Sequence, residues 1–172
     1  MKALLILFLI SSNIILYQFA NDSPKTDWRI VDDGVMGGKS SGNFYINDAG
    51  NGVFEGFVSL ENNGGFSSVR YRKTFQIQSQ KTIRIQLKGD GSKYQFRVKA
   101  NTNDRHSYIG EFQTSGEWEI IEIELTKMYP AFRGRTLSIP NFDKDQIEEL
   151  AFLIGNKKEQ EFHLEIKSIQ LL

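Results

Sequence analysis

The pattern most suggestive of catalysis is Gly-Lys-Ser-Ser-Gly at residues 38–42, which matches the G-x-S-x-G turn that carries the nucleophile of α/β-hydrolases. That turn requires a strand before the serine and a helix after it, within a parallel sheet. Here the strand-like Phe44–Ile46 follows Ser40, and no helical pattern does. Asp143 and His163 complete the hydrolase order, but His163 alternates with apolar residues and is expected on a solvated strand face. We interpret the serine pattern as coincidence and predict no catalytic residue.

The residues needed for metal and cofactor chemistry are scarce. The two histidines, His106 and His163, have no ligand spacing, and the absence of cysteine excludes thiolate zinc sites, iron–sulfur clusters and disulfides. Calcium held by Asp32 and Asp33 or by Asp90 is an alternative, although turn formation already explains these residues. The glycine-rich segment 34–38 lacks the Lys-Ser/Thr ending of a phosphate-binding loop. We therefore predict no metal and no cofactor.

Length and charge narrow the class of protein. The chain has 172 residues, which corresponds to one domain, and 40% hydrophobic residues indicate a folded core. The 21 Lys and Arg residues balance 21 Asp and Glu residues, so the formal net charge is zero. Nonspecific nucleic-acid binding requires an excess of positive charge, and we therefore predict no nucleic-acid partner.

The first twenty residues resemble a targeting segment. Lys2 precedes an apolar run from Ala3 to Ile10, and polar residues 11–13 interrupt it, so the run is short for a membrane span. We predict that residues 1–20 are a signal peptide, cleaved after Ala20, or an uncleaved membrane anchor. Residues 21–26 are then a linker, and the domain at 27–172 is exported (periplasmic or secreted) or anchored, touching a membrane only through this segment.

The remainder of the chain shows a hydrophobic period of two, which is typical of strands. Ile83, Ile85 and Leu87 alternate with polar residues, as do apolar residues at 94–98, and Gly-Asp-Gly-Ser at 89–92 predicts a hairpin between the two runs. Further strands are expected at 44–46, 53–60, 66–73, 107–112, 121–125, 150–154 and 162–166. A short helix is expected near 143–150. Many regularly spaced strands predict an all-β sandwich or barrel.

The predicted strand faces also carry a charge pattern. Arg84 and Arg97 point outward from the basic 82–99 segment, whereas Glu122, Glu124 and Glu165 are outward and acidic. We expect opposite charges to pair across neighbouring strands. The alternative is a basic patch that meets an acidic partner.

Two loops are candidates for contact with a partner. Met36 sits between glycines, where it either fills the core or forms part of an exposed surface. Residues 128–135 combine Tyr129, Phe132 and Arg133, the residue types that dominate interface energetics. The alternative for this loop is that Phe132 folds into the end of the sandwich while Arg133 caps carbonyl groups.

Several segments together resemble one family. The segment 28–40, Trp-Arg-Ile-Val-Asp-Asp-Gly-Val-Met-Gly-Gly-Lys-Ser, is similar to the opening signature of the CIA30 family, named for complex I intermediate-associated protein 30. The resemblance continues through the segment 60–70, which contains Asn-Gly-Gly-Phe-Ser-Ser-Val-Arg, and through 88–96 and 132–135. It covers essentially residues 27–172.

This resemblance implies a galactose-binding-like jelly-roll sandwich and a non-enzymatic, chaperone-like role in assembling a membrane complex of the respiratory complex I type. The implied partners are proteins, including subunits of such a complex. The alternative is a secreted carbohydrate-binding module of the same fold. The candidate binding surface is the set of motif positions Asp33, Met36, Gly37, Gly38, Asn63, Gly65, Arg70, Asp90, Tyr94, Phe132 and Arg133.

Overall fold

The chain folds into two antiparallel sheets packed face to face. The computed structural model describes residues 13–172, with only the backbone of Val35 and Met36, and this part of the chain contains thirteen strands. They are β1 (Ile14–Gln18), β2 (Trp28–Asp32), β3 (Ser41–Ile46), β4 (Gly52–Val58), β5 (Ser67–Gln76), β6 (Thr82–Lys88), β7 (Lys93–Lys99), β8 (Ser107–Gln113), β9 (Trp118–Glu124), β10 (Tyr129–Phe132), β11 (Arg135–Thr136), β12 (Gln146–Ile154) and β13 (Gln160–Leu171).

The six-stranded sheet runs in the order β3-β4-β13-β6-β9, and β1 also pairs with β13. The seven-stranded sheet runs in the order β11-β10-β8-β7-β12-β5-β2. Alternating side chains from both sheets fill one core, to which Phe54 and Ile85 contribute from the first sheet and Phe96 and Phe152 from the second. The predicted all-β sandwich is confirmed.

The helix expected near 143–150 is absent, and this prediction was wrong. Residues Gln146–Ile154 form β12, which pairs with β5 on one side and β7 on the other. The side chains of Leu150, Phe152 and Ile154 are buried in the core at every second position. The neighbouring strands β5 and β7 pair with the backbone amide and carbonyl groups of β12. Pairing with neighbouring strands therefore determined the extended conformation of a segment whose local sequence is compatible with either helix or strand.

The hairpin expected between residues 82 and 99 was also wrong. Both strands exist, but β6 belongs to the six-stranded sheet and β7 to the seven-stranded sheet. Residues 89–92 thus carry the chain across the edge of the sandwich. Each strand buries one face because the core lies between the two sheets, and this produces the same alternation as a hairpin.

The N-terminal strand is part of the sandwich. In β1 and the residue after its end, Leu16, Tyr17 and Phe19 are buried, and the Tyr17 hydroxyl donates to Asp27 Oδ2 at 2.8 Å. The last residues of the predicted targeting segment therefore lie in the fold, whereas residues 1–12 lie outside the described part of the chain. From residue 13 onward, no helix has the length and hydrophobicity to cross a membrane. The targeting role of the segment stays a prediction.

Candidate functional site

Asp33 is the centre of the first motif, and its carboxylate is 7% exposed. It accepts hydrogen bonds from Ser40 Oγ at 2.6 Å and from the backbone amides of Gly65 and Phe66 at 2.6 and 3.3 Å. Burial by itself would raise the pKa of Asp33, but these hydrogen bonds favour the charged form and hold the pKa below its ordinary value. The carboxylate therefore ties together the two loops that carry the two sequence motifs.

The glycines beside this carboxylate are required by close packing. A Cβ atom on Gly38 would lie 2.2 Å from Asp33 Oδ1, and one on Gly64 would lie 2.6 Å from Asp33 Oδ2. Asp33, Gly38, Ser40, Gly64 and Gly65 are called the motif cluster below. The motif cluster has a structural role in linking two loops, because the donors that surround the carboxylate come from its own chain.

Ser40 has no catalytic surroundings. Its hydroxyl donates to Asp33, accepts from the amide of Ser59 at 3.0 Å and is 8% exposed. His163 instead lies 3.0 Å from Glu55 on the outer face of the six-stranded sheet, and Asp143 is paired with Lys144. The three residues in hydrolase order are thus not brought together.

Two other predicted site residues, Asp90 and Tyr94, are engaged in contacts within the fold. Asp90 accepts hydrogen bonds from the amides of Ser92 and His163, at 2.9 and 3.0 Å, and so fixes the crossing between the sheets to β13. Tyr94 is fully buried in the core, and burial raises the pKa of its hydroxyl. Tyr94 therefore presents no surface to a partner.

The remaining motif positions differ in exposure. Gly37 and Asn63 are exposed on the two motif loops, and the Asn62 side chain donates to the Gly37 carbonyl at 2.8 Å. Met36 ends the 3₁₀ turn Asp33–Met36, and its side chain is outside the described part of the structure. The contact role of Met36 thus stays a prediction, whereas Gly37 and Asn63 are exposed to solvent on these loops.

A shallow cavity of about 840 Å³ lies on the outer face of the six-stranded sheet. Its lining includes Asn43, Glu55, Asp90 and His163. Glu55 already contacts His163, and the Asp90 carboxylate already accepts two backbone hydrogen bonds. Within the described chain, the charged residues of this cavity that lie free of such contacts are Lys158 and Glu161, which are exposed at its rim.

One exposed feature that combines aromatic and basic side chains is the hairpin of β10 and β11 at one edge of the seven-stranded sheet. Arg133 and Gly134 form its two-residue turn, both with positive φ (49° and 75°), as a type I′ turn requires. The guanidinium groups of Arg105 and Arg133 lie 4.9 and 5.4 Å from the centre of the Phe132 ring. This arrangement, called the Phe132 hairpin below, combines an aromatic ring with two exposed cations.

A second feature crosses the outer face of the seven-stranded sheet. Strand register places one residue from each of six strands in a single row: Arg29, Arg70, Ala151, Arg97, Ile109 and Tyr129. The three arginines of this set are called the arginine row. Arg70, a predicted site residue, lies across the small Ala151 from Arg97.

Arg97 has no ion pair within residues 13–172. Its Nε and Nη2 both donate to Gln95 Oε1, a neutral acceptor. Burial, followed by the neighbouring charge of Arg70, lowers the pKa of the Arg97 guanidinium to about 10. The side chain is thus a partly buried cation held beside another cation.

The nearby carboxylates are committed elsewhere. Glu149 is 3% exposed and pairs with Arg72 at 2.8 Å and with Arg70 at 3.8 Å. Glu111 pairs with Lys93, which holds the pKa of Glu111 below its ordinary value, and it accepts the Tyr129 hydroxyl at 3.1 Å. An excess of positive charge therefore remains on this face.

The expected charge pairing is confirmed for Arg84, which lies 2.7 Å from Glu122 on the adjacent strand, and is wrong for Arg97. Placing β7 beside β6 had put Arg97 among the glutamates, whereas the structure puts β7 in the other sheet. Sequence reasoning therefore missed Arg97, Gln95, Glu111 and Tyr129 as parts of one surface. Arg97 was expected as an outward cation of a predicted strand and Tyr129 as part of a contact loop, but the order of strands is what brings them onto one face.

Comparison with solved structures agrees with the sandwich. The chain is similar to the family 11 carbohydrate-binding module of a cellulosomal cellulase of Clostridium thermocellum, with a TM-score of 0.70, 15% identity and 94% of each chain covered. The same module in complex with a β-1,3-1,4-mixed-linked tetrasaccharide gives a TM-score of 0.67 at 16% identity, covering 93% of this chain and 95% of that one. A variant of a family 29 carbohydrate-binding module gives 0.54 at 10% identity, covering 94% and 92%. These identities establish the fold alone.

Sequence comparison identifies the family. No curated protein sequence matches this chain. The family model described as complex I intermediate-associated protein 30 (CIA30) matches residues 17–166, beginning within β1 and ending within β13. The match spans both motif loops, the whole of the seven-stranded sheet and the crossing at 89–92. The chain therefore belongs to the CIA30 family.

Proposed function

We propose that this chain is a non-enzymatic module that docks onto a protein partner through the Phe132 hairpin. The observation that carries the proposal is the Phe132 ring flanked by the guanidinium groups of Arg105 and Arg133 at an exposed sheet edge. Aromatic and arginine side chains are enriched among the residues that dominate protein interfaces. The cations favour an acidic surface on the partner, which would also accelerate encounter.

The family match supports a partner that belongs to a membrane complex under assembly, in the manner of complex I intermediates. Within residues 13–172, no strand pairs with the outer side of the short edge strand β11, to which an extended partner segment could add. The predicted targeting segment leads us to propose an exported or membrane-anchored domain that keeps β1, because cleavage after Ala20 would remove the buried Leu16, Tyr17 and Phe19. In that location the complex would be met on the exported side of the membrane.

The test is capture of membrane proteins by the tagged full chain, comparing it with a Phe132→Ala/Arg133→Ala variant. The matched control is Phe57→Ala/Arg84→Ala, which removes a 39%-exposed phenylalanine and an arginine from the other sheet. We expect subunits of one complex with the original chain and the control, and at least about tenfold less with the hairpin variant. Equal capture by all three folded proteins would contradict the proposal.

A second candidate function is carbohydrate binding on the outer face of the seven-stranded sheet. Tyr129 is partly exposed there beside Gln95 and Glu111, a combination of an aromatic ring with planar hydrogen-bonding groups. Sugar rings stack on aromatic faces while their hydroxyls bond to such groups. The family 11 module, similar in fold, is described in complex with a tetrasaccharide, which supports this candidate by analogy.

A further inference from the structure

We propose that the arginine row binds the carboxylate of a uronic acid unit in an acidic polysaccharide. This inference rests on the carbohydrate-binding candidate and names its ligand class. It starts from the exception to the charge pairing, because Arg97 is a cation whose hydrogen bonds within the described chain go only to Gln95.

The spacing of the row suits one carboxylate. Arg70 and Arg97 lie on β5 and β7, on either side of β12, so their Cα atoms are about 10 Å apart. Between them stands Ala151, whose short side chain leaves the two guanidinium groups without a bulky residue to separate them. A carboxylate between two planar guanidinium groups can accept paired hydrogen bonds from each.

The excess of positive charge on this face also favours the binding of an anion. Arg29, Arg70, Arg72 and Arg97 lie on it, and Glu149 is the carboxylate paired with two of them. Burial is the largest cause of the lowered pKa values of Arg97 and Arg70. The charge of Arg70 lowers the pKa of Arg97 further, and the charges of Arg29 and Arg72 do the same for Arg70, so a bound anion would relieve this repulsion. In the adjacent row the Ser68 hydroxyl is buried and has no hydrogen-bond partner in the described chain, so this face also holds an unused polar group.

The rest of the row favours a sugar acid over an acidic peptide. Tyr129 lies two strands beyond Arg97 in the same row, about 10 Å away, and offers a ring for stacking. Glu111 stands in the neighbouring row beside Gln95, and its two oxygens have lone pairs enough to accept sugar hydroxyls besides the internal hydrogen bonds that they already accept. An acidic peptide would present only carboxylates to the ionised Glu111, whereas each uronic acid unit carries several hydroxyl groups beside its carboxylate, and these can donate to Glu111.

The test compares two ligands that differ at one group. Calorimetry measures binding of the full chain to a galacturonic acid trimer and to a galactose trimer of the same linkage, in which CH₂OH replaces the carboxylate. We expect the acidic trimer to bind at least about tenfold more tightly, as hydrogen bonds to charged groups imply. Arg97→Gln should abolish this preference while Arg84→Gln, an exposed arginine of the other sheet, leaves it unchanged.

The outcomes separate the two claims. Equal affinity for both trimers would overturn the carboxylate proposal and leave the carbohydrate candidate standing, whereas binding of neither by the folded protein would overturn both. A preference for a poly-glutamate peptide over the acidic trimer would contradict the choice of a sugar. Because Arg97→Gln could perturb the sheet, Arg97→Lys provides a second variant, which keeps the charge, loses the planar fork and should retain only part of the preference.

Discussion

The motif cluster is centred on one charged residue directly after β2, and the arginine row on three charged residues of strand faces, yet they differ in how their charges are satisfied. In the motif cluster, the Asp33 carboxylate accepts donors from Ser40, Gly65 and Phe66 of its own chain. In the arginine row, Arg97 has only a neutral amide as acceptor within residues 13–172. The difference indicates that the signature residues around Asp33 hold the fold, and it supports our proposal that a ligand binds where charge remains unpaired.

The largest expected effect comes from removing β1, which contributes to the core shared by both sheets. A chain beginning at Asn21 lacks β1 and the buried Leu16, Tyr17 and Phe19, each worth about 1.5–3 kcal/mol when buried. We expect a loss of about 5 kcal/mol or more, enough to unfold a domain of ordinary stability. Circular dichroism during urea unfolding measures this, with a chain beginning at Asn13 as the control. Equal unfolding midpoints would show that β1 is dispensable.

The next effect breaks the motif cluster directly. Asp33→Ala leaves the Gly65 and Phe66 amides and the Ser40 hydroxyl without their acceptor, which should lower the free energy of unfolding by about 3 kcal/mol. Asp48→Ala, at an exposed turn position, should change it by less than about 0.5 kcal/mol. If Asp33→Ala lowered the free energy of unfolding as little as Asp48→Ala does, the motif cluster would not have the structural role assigned to it.

The pH dependence of stability sharpens the same point. The pKa of Asp33 is lower in the folded protein than in the unfolded chain, so its stabilising contribution is complete above the unfolded pKa of about 4. The contribution is lost as the pH falls below that value towards the folded pKa. We therefore expect the stability difference between the original chain and Asp33→Asn to be constant from pH 5 to 7 and to shrink below about pH 4. A difference that grew in acid would contradict the assigned pKa direction.

The smallest effect on stability is expected in the arginine row. Arg97→Gln removes a partly buried cation beside Arg70, so the free energy of unfolding should stay constant or rise by up to about 1 kcal/mol. Chemical unfolding of Arg97→Gln beside Arg84→Gln measures this difference. A loss above about 2 kcal/mol would show that Arg97 supports the fold and is not held for a ligand.

The sequence predicted the strands well and their partners poorly. The alternation in β6 and β7 was correct because each strand buries one face, but a period of two does not report which sheet the strand joins. The helix expected near 143–150 was wrong for a related reason, since two neighbouring strands impose the extended conformation on β12, whereas the strand expected at 150–154 is confirmed. At the candidate site, Arg70 was named from the motif, whereas Arg97 and Tyr129 join it only through the order of strands.

The most direct test of the central claim is a map of backbone amide shifts by nuclear magnetic resonance during titration with the galacturonic acid trimer. The account predicts that the largest shifts fall on the central strands of the seven-stranded sheet around Arg70, Arg97 and Ala151, with little change at Gly65 and Phe66. Largest shifts at Gly65 and Phe66 would contradict it, because they would make the motif cluster the ligand site.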